Sequence, residues 1–476
     1  MAVSDPRYLL LLVLVALVLP AIPRGISRLL AIALVSLGFY AGLNPAFWYV
    51  LVAVSATTYA GGLLLSHVPD GRLRSAIFIS VVVAALLPLL TFKYVFWLAG
   101  IASPAFGHSE DGPGLARFVL PVGLSFYTFL GVGYLVDVFV GSVPAERNAI
   151  RFAAFMTFFP QLTAGPIERA RHLLPQLDMI GEFDYARAVA GLRALLCGFF
   201  MKIVIADTLG PYVDSVYGAP HRYGAFDLAL ATVYFSFQVY ADFAGYSLIA
   251  IGSARLLGIE LLPNFVQPYL SQNLPEYWRR WHITLSSWFR DYVFIPLQFQ
   301  IRRWGVLGLA GALIFTFILV GLWHGAGTKY ALFGLIHGIL VAFSTLTFAR
   351  RDRFWRALGV PSGALALGRA VATFLVVSLT FVLFRAASLH DALWIYGMIL
   401  EGPYAARTLP LILPALLIST LVVGDLMVAS GRDLAHLPAP MRWPAYYSAF
   451  ACIVVATVVH MLGASPHVEQ FIYYKF

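Results

Sequence analysis

The sequence predicts an all-α integral membrane protein, a polytopic bundle of roughly eleven membrane-spanning helices. Of its 476 residues, 60% are hydrophobic and only 12% are charged, whereas about a quarter of the residues in a soluble domain are charged. The mean hydropathy is +0.82, and long apolar runs recur from Tyr8 to Met461. This pattern excludes a secreted domain, a cytosolic enzyme and a soluble domain carried by a membrane anchor.

The net charge of +9 comes from arginines that lie mostly in short loops between the apolar runs. Basic loops of this kind are typical of the cytoplasmic ends of membrane helices. We therefore expect membrane lipids, and no nucleic acid, next to these charges.

The order of the loops predicts the orientation of the first spans. Arg24 and Arg28 follow the first apolar run, residues 8–19, and Arg72 follows the third. The loop of residues 103–117 is instead rich in glycine and proline and carries acidic groups. Because cytoplasmic loops carry the basic excess, we expect the N-terminus to lie outside.

Later apolar runs predict further helices, and no composition change marks a boundary between separate domains. The chain is therefore interpreted as one membrane domain, residues 1–476. The later helices are expected near residues 188–206, 226–257, 306–322, 330–348, 371–384, 409–428 and 446–462.

Two stretches differ from ordinary spans and predict re-entrant or interfacial helices. In residues 158–168, Pro160, Gly165 and Pro166 interrupt an apolar setting. Backbone broken in this way within a membrane must be buried in protein or line a wet cavity.

The second stretch, residues 275–296, is interpreted as one helix that ends at Pro296. Its spacing gives an aromatic stripe and a neighbouring polar stripe. Such a helix can lie in the membrane interface or line a polar passage through the protein. The aromatic stripe comprises Trp278, Trp281, Leu285, Trp288 and Tyr292; the polar stripe comprises Arg279, His282, Ser286 and Arg290.

A glycine-flanked histidine is the leading catalytic candidate. The run Gly321-Leu-Trp-His324-Gly-Ala-Gly327 closes an apolar segment, and an ionisable group at membrane depth is a functional-site hypothesis by default. Imidazole exchanges protons near neutral pH, so His324 could take the proton from a hydroxyl that attacks an acyl carbonyl. His337, in the next run, is interpreted as a packing histidine.

Asp137 and Asp242 are embedded in apolar sequence, the latter four residues after Gln238. Each must be paired, protonated or hydrated, and we expect a hydrogen-bonding role. No HExxH, P-loop or GxSxG motif is present, so no metal site is predicted.

These residues resemble the membrane-bound O-acyltransferase family, within its bacterial branch that acylates alginate and teichoic acid. The resemblance rests on Asn264-Phe-Val-Gln-Pro-Tyr269, on Tyr277-Trp-Arg-Arg-Trp-His282 and its continuation to Pro296, and on Gly321-Leu-Trp-His324-Gly. It covers residues 118–476, leaving residues 1–117 as variable N-terminal spans.

The resemblance implies a bundle around a tunnel that crosses the bacterial inner membrane, with no bound cofactor. A cytoplasmic thioester, expected to be acetyl-CoA, would give its acyl group to a hydroxyl of an exported polysaccharide or of an extracytoplasmic partner acyltransferase. His324 matches the catalytic histidine of the family and His282 its second histidine. Residues expected to bind substrate or line the tunnel are Trp323, Arg279, Arg280, Trp281, Ser286, Gln238 and Asp242; Arg302 and Arg303 are further candidates for the donor phosphates.

Three alternatives stay open. One is D-alanyl transfer from a carrier protein to teichoic acid. Another is a proton-coupled transporter or flippase that uses Asp137, Asp242, His324 and His337 as a relay, although the chain lacks the paired halves expected of a transporter. The third and weakest is a non-catalytic scaffold for an export complex.

Overall fold

The computed structural model describes residues 5–106, 120–404 and 408–462, and these ranges contain helices and loops but no strand. The helices are α1 Pro6–Val18, α2 Ile26–Leu43, α3 Trp48–His67, α4 Arg72–Phe106, α5 Leu124–Phe139, α6 Ala149–Thr157, α7 Phe159–Leu162, α8 Ala170–Gln176, α9 Tyr185–Phe199, α10 Asp207–Tyr217, α11 Ala225–Leu256, α12 Leu274–Arg280, α13 Ile283–Phe289, α14 Ile295–Gln300, α15 Gly305–His324, α16 Thr328–Ala357, α17 Ser362–Arg385, α18 Leu389–Glu401, α19 Ile412–Ala429 and α20 Ala439–Leu462.

The prediction of an all-α, multi-pass membrane protein is confirmed. In the described part of the chain, nine helical segments are long and apolar enough to cross a membrane, and Arg7–Ala21 and Leu124–Phe139 are shorter apolar helices. Together they match the predicted number of roughly eleven spans.

Polar side chains begin several helices by accepting hydrogen bonds from backbone N–H groups that have no partner within the first turn. Asn148 accepts from Ile150 N and Arg151 N before α6, Asn273 accepts from Glu276 N before α12, and Ser388 accepts from Asp391 N before α18.

The chain folds into two compact units. The first comprises Met1–Leu195 and Ser247–Pro263. It contains the interrupted stretch near Pro160, where α7 is only four residues long and residues 161–170 are buried. The expected broken and protein-buried backbone is therefore confirmed.

The second unit comprises Leu196–Tyr246 and Asn264–Phe476, and α15 and α16 pack closely within it. A Cβ added to Gly334 would lie 2.2 Å from the carbonyl oxygen of Phe317, and one on Gly321 would lie 2.2 Å from that of Tyr330. Small residues let membrane helices approach in this way.

The prediction of one helix over residues 275–296 is wrong. Pro275 does lie in the first turn of a helix, but α12 ends at Arg280 and His282 has left-handed backbone with φ 43°. After α13, the chain passes through a π-helix, Arg290–Phe294. It then continues through Pro296 in the first turn of α14, so Pro296 does not end the helix.

Long-range hydrogen bonds explain this break. The backbone N–H of Ile283 donates to Asn264 O at 2.9 Å, and that of Val266 donates to Arg280 O at 3.0 Å. A side-chain pattern along one helix does not predict such bonds from a distant segment, and here they replace helical bonds.

The interpretation of residues 1–476 as one membrane domain stays a prediction. So does the division at residue 117 between variable N-terminal spans and the part covered by the family resemblance. The residues around that boundary, 107–119, lie outside the described ranges, as does most of the loop used to predict the orientation.

Candidate active site

His324 is the last residue of α15 and is buried, with 4% of its surface exposed. Aromatic rings surround its imidazole, with centroid distances of 5.0 Å to Trp323, 5.1 Å to Phe384 and 6.4 Å to Phe333. Trp323, the preceding residue in the chain, forms one wall beside this histidine.

The glycines around His324 serve close protein packing. A Cβ on Gly325 would meet the Tyr330 ring at 2.2 Å, so the missing side chain makes room for that ring. A glycine can let a substrate or another part of the chain come close, and at Gly325 the structure shows the close approach of Tyr330.

His282 lies between α12 and α13 and is fully buried. Its ring centroid lies 4.6 Å from that of Phe243 and 6.4 Å from that of Phe265. On one side its Nδ1 lies 3.0 Å from Asn264 Oδ1, and on another its ring lies 5.7 Å from Trp323.

Trp323 therefore contacts both imidazoles. Its ring lies 5.7 Å from His282 and 5.0 Å from His324, although 42 positions separate the two histidines in the sequence. Two imidazoles, which can exchange protons near neutral pH, thus lie against one buried aromatic ring.

The predicted polar stripe is wrong, because its members do not share one environment. Arg279 and Arg290 are exposed, Ser286 is half-buried and His282 is buried. The left-handed turn at His282 rotates α13 away from the register that one continuous helix would impose. Ser286 Oγ donates to Trp281 O at 3.2 Å.

The arginine candidates differ in their partners. Arg280 forms an ion pair with Glu276 at 2.8 Å, Arg279 and Arg303 are exposed, and the Arg302 guanidinium lies 4.2 Å from the Phe299 ring centroid.

Trp281 belongs to an aromatic cluster in which Tyr277 and Phe381 are buried and Tyr269 and Phe265 are half-buried. Its ring stacks on Tyr277 at 5.5 Å and contacts Phe265 at 5.1 Å and Phe381 at 5.6 Å. This cluster fixes the backbone immediately before His282 by burying large rings on its side.

Asp242 forms a buried ion pair, which is one of the states expected for it. Lys202 Nζ lies 2.7 Å from an oxygen of Asp242 and 2.7 Å from one of Asp207. Lys202 lies in a π-helix, Phe200–Ala206. Gln238, one turn before Asp242 on α11, is buried and its Oε1 has no hydrogen-bond partner among the described residues.

His337 has both ring nitrogens engaged. Trp278 Nε1 donates to its Nδ1 at 3.2 Å, and its Nε2 lies 2.9 Å from Thr380 Oγ1. This arrangement fits the interpretation of His337 as a packing histidine.

Sequence reasoning assigned no role to Asn264 and did not name Lys202 as the partner of Asp242. Both left a signal. Lys202 is the lone lysine of an apolar run, which implies a nearby carboxylate. Asn264 lies four residues before Pro268 in a non-helical stretch, where an asparagine side chain commonly bonds to nearby backbone.

No group of three histidine, cysteine, aspartate or glutamate side chains in the described ranges is arranged to hold a metal ion.

Comparison with known proteins places the histidines within a family region. Residues 145–382 match the model of MBOAT, the membrane-bound O-acyltransferase family. This region contains both His282 and His324 as well as Lys202, Asp242 and Asn264.

Individual relatives carry names of acyl-transfer enzymes. The chain is 37% identical over 326 residues to "Probable alginate O-acetylase" of Pseudomonas putida, covering 66% of this chain and 63% of the relative. It is 30% identical to "Peptidoglycan O-acetyltransferase" of Helicobacter pylori, covering 76% and 72%. It is 29% identical to "Teichoic acid D-alanyltransferase" of Bacillus subtilis, covering 56% and 67%. The chain thus spans less than two thirds of the length of the alginate relative.

Proposed function

The chain belongs to the membrane-bound O-acyltransferase family, and we propose that it moves an acetyl group from a cytoplasmic thioester to a hydroxyl outside the membrane. The expected donor is acetyl-CoA, and the expected acceptor is an exported polysaccharide or a hydroxyl of an extracytoplasmic partner acyltransferase. A tunnel through the bundle would let donor and acceptor meet.

The observation that carries the proposal is the contact of His282 and His324 with the same Trp323 ring. A neutral imidazole can take the proton of a hydroxyl and return it to a leaving group. Holding thioester and hydroxyl together also removes much of the entropic barrier, so two imidazoles against one buried ring suit this reaction.

The proposed reaction forms one carbon–oxygen bond and breaks one carbon–sulfur bond. The acceptor oxygen forms a bond to the thioester carbonyl carbon, and His324 takes the hydroxyl proton. The carbon–sulfur bond then breaks, and the sulfur leaves with the proton that His324 returns. The products are an acetyl ester and free coenzyme A.

The remaining predicted residues receive supporting roles. Arg279, Arg302 and Arg303 would contact the phosphates of the donor, because they are exposed and guanidinium groups suit phosphate. Arg280 would do so only by exchanging its Glu276 partner.

Trp281, Ser286, Gln238 and Asp242 are proposed to shape the tunnel. Trp281 would do so as a wall, and Gln238 by offering a buried carbonyl oxygen to a hydroxyl. Asp242 would act indirectly, because it holds Lys202.

The acetyl group is favoured over D-alanine because the alginate relative, at 37% identity, is named for O-acetyl transfer, whereas the two teichoic acid D-alanyltransferases are 29% and 31% identical. The proposed location is the bacterial inner membrane, with the N-terminus outside.

The experiment supplies [14C]acetyl-CoA to membranes of cells that express the wild type, His324→Ala or His337→Gln. We expect base-labile label in polysaccharide or protein with the wild type and with His337→Gln, and a loss of about 10²- to 10⁴-fold with His324→Ala. Equal labelling by wild type and His324→Ala would overturn the role of His324. Loss of polymer export with unchanged esters would instead favour a transporter.

A further inference from the structure

Building on the proposed function, we infer that Asn264 is a positioning residue that holds His282 as the tautomer with its proton on Nδ1. Asn264 and His282 are both almost completely buried, with 1% and 0% of their surfaces exposed. Their contact joins Asn264 Oδ1 and His282 Nδ1 at 3.0 Å.

The orientation of the Asn264 amide follows from a neighbour that can only donate. The backbone N–H of Thr284 points to the same Asn264 atom at 3.3 Å. A backbone N–H cannot accept a hydrogen bond, so this atom must be the carbonyl oxygen and not the NH2 group. The Thr284 hydroxyl donates to it as well, at 2.9 Å.

The tautomer of His282 then follows. Since Asn264 Oδ1 is an acceptor only, His282 Nδ1 must carry the hydrogen that it shares with that oxygen. In a neutral imidazole the other nitrogen, Nε2, then has a lone pair and no proton.

The backbone conformation at His282 also supports a positioning role for Asn264. His282 and Gln267 are the two non-glycine residues with positive φ in the described ranges, and such a conformation persists only where the surroundings determine it. Here Asn264 O accepts from Ile283 N at 2.9 Å, so the same residue holds both the turn and the ring.

The tautomer defines what His282 offers to the reaction. A neutral imidazole with an unprotonated Nε2 accepts a hydrogen bond from a hydroxyl at that nitrogen, but it cannot donate one from it to the carbonyl oxygen of a thioester. We therefore assign His282 to the acceptor side. There it would accept a hydrogen bond from one hydroxyl of the acceptor, while His324 takes the proton of a second hydroxyl, the one that attacks the thioester.

A measurement on the wild type tests the tautomer directly. The protein is labelled with [15N]histidine, and the His282 signal is assigned by its loss in His282→Gln. We expect a protonated Nδ1 and an unprotonated Nε2 at pH 8. A signal from the opposite tautomer would overturn the inference whatever the variants do.

Variants test the positioning role through the pH dependence of label transfer from [14C]acetyl-CoA. Asn264→Ala removes the acceptor, and we expect at least about a 10-fold loss because the tautomers then mix. Asn264→Asp keeps an acceptor oxygen and should rescue activity. Its negative charge favours the imidazolium, so the acidic limb should move to higher pH by about one unit or more.

Thr284→Val is the matched control, because it removes a different donor to the same oxygen and keeps the His282 contact. We expect a wild-type pH profile from it. Unchanged activity and pH profiles in both Asn264 variants, with His324→Ala inactive, would overturn the inference while leaving the proposed function intact. An active His324→Ala would instead be the failure of the proposed function.

Discussion

The prediction from sequence is right for the hairpin of α15 and α16 and wrong for the neighbouring segment of residues 274–300. The hairpin was predicted as two helices, and it forms two, with glycines such as Gly334 against the partner backbone. The second segment was predicted as one helix, and it is broken at His282.

The difference lies in what determines each region. Apolar residues and small side chains along the hairpin favour helix and close packing by themselves. In the second segment, the side chain and carbonyl of Asn264, outside the predicted helix, take over N–H groups that a continuous helix would use. At this break, therefore, a buried polar residue from elsewhere in the sequence supplies the bonds.

The largest effect on stability is expected at another irregular helix, the π-helix that carries Lys202. Lys202→Met removes the cation shared by Asp207 and Asp242, and breaking a buried pair costs about 3–5 kcal/mol. Thermal unfolding in detergent measures this loss.

The triple variant Lys202→Met, Asp207→Asn, Asp242→Asn is the control, because it removes the charges together. It should be more stable than Lys202→Met alone. The reverse order would show that these charges do not hold the π-helix.

In the hairpin, Gly334→Ala places a Cβ 2.2 Å from Phe317 O, so the helices must separate. We expect a loss of about 1–3 kcal/mol, seen as a lower unfolding temperature. Gly311→Ala, on α15 with nothing within 4 Å of its Cβ, should be neutral or stabilising. Equal effects from both variants would contradict glycine-dependent packing.

At the break, Thr284→Val removes the hydroxyl bond to Asn264 Oδ1 at 2.9 Å. We expect a loss of about 1 kcal/mol, the usual net contribution of one hydrogen bond, measured by thermal unfolding. Ser287→Ala, which removes a hydroxyl that donates to the nearby Thr284 O, gives a reference for a local bond. A gain in stability with Thr284→Val would mean that the break does not depend on this contact.

The smallest effect is expected for Pro296→Ala. Pro296 directly follows the π-helix Arg290–Phe294, where the i−5 bonding has already left the regular α-helical pattern, so its missing N–H should cost little and the change should stay within about 0.5 kcal/mol. Pro444→Ala, inside α20, should give a larger gain. A gain of about 3 kcal/mol with Pro296→Ala would show that this proline strains a helix interior.

The sequence is sufficient for most of the long apolar helices and for naming two candidate histidines, but not for the partners of those histidines. Apolar runs predict α1, α15 and α19 close to their observed bounds, because burial in lipid or protein favours helix wherever the chain is apolar.

The partners could not be predicted because they are distant in the sequence. Asn264 meets His282 across 18 positions, and Lys202 meets Asp242 across 40 positions of the sequence. Residue spacing along one helix carries no information about either contact.

Acetyl transfer across the membrane through His324 is tested most directly in sealed, inside-out membrane vesicles. [14C]acetyl-CoA, which does not cross membranes, is added outside, where the cytoplasmic face then lies, and acceptor esters are measured in the lumen. We predict luminal esters with the wild type and His337→Gln and their loss with His324→Gln. Equal luminal label with and without His324 would contradict the proposed mechanism.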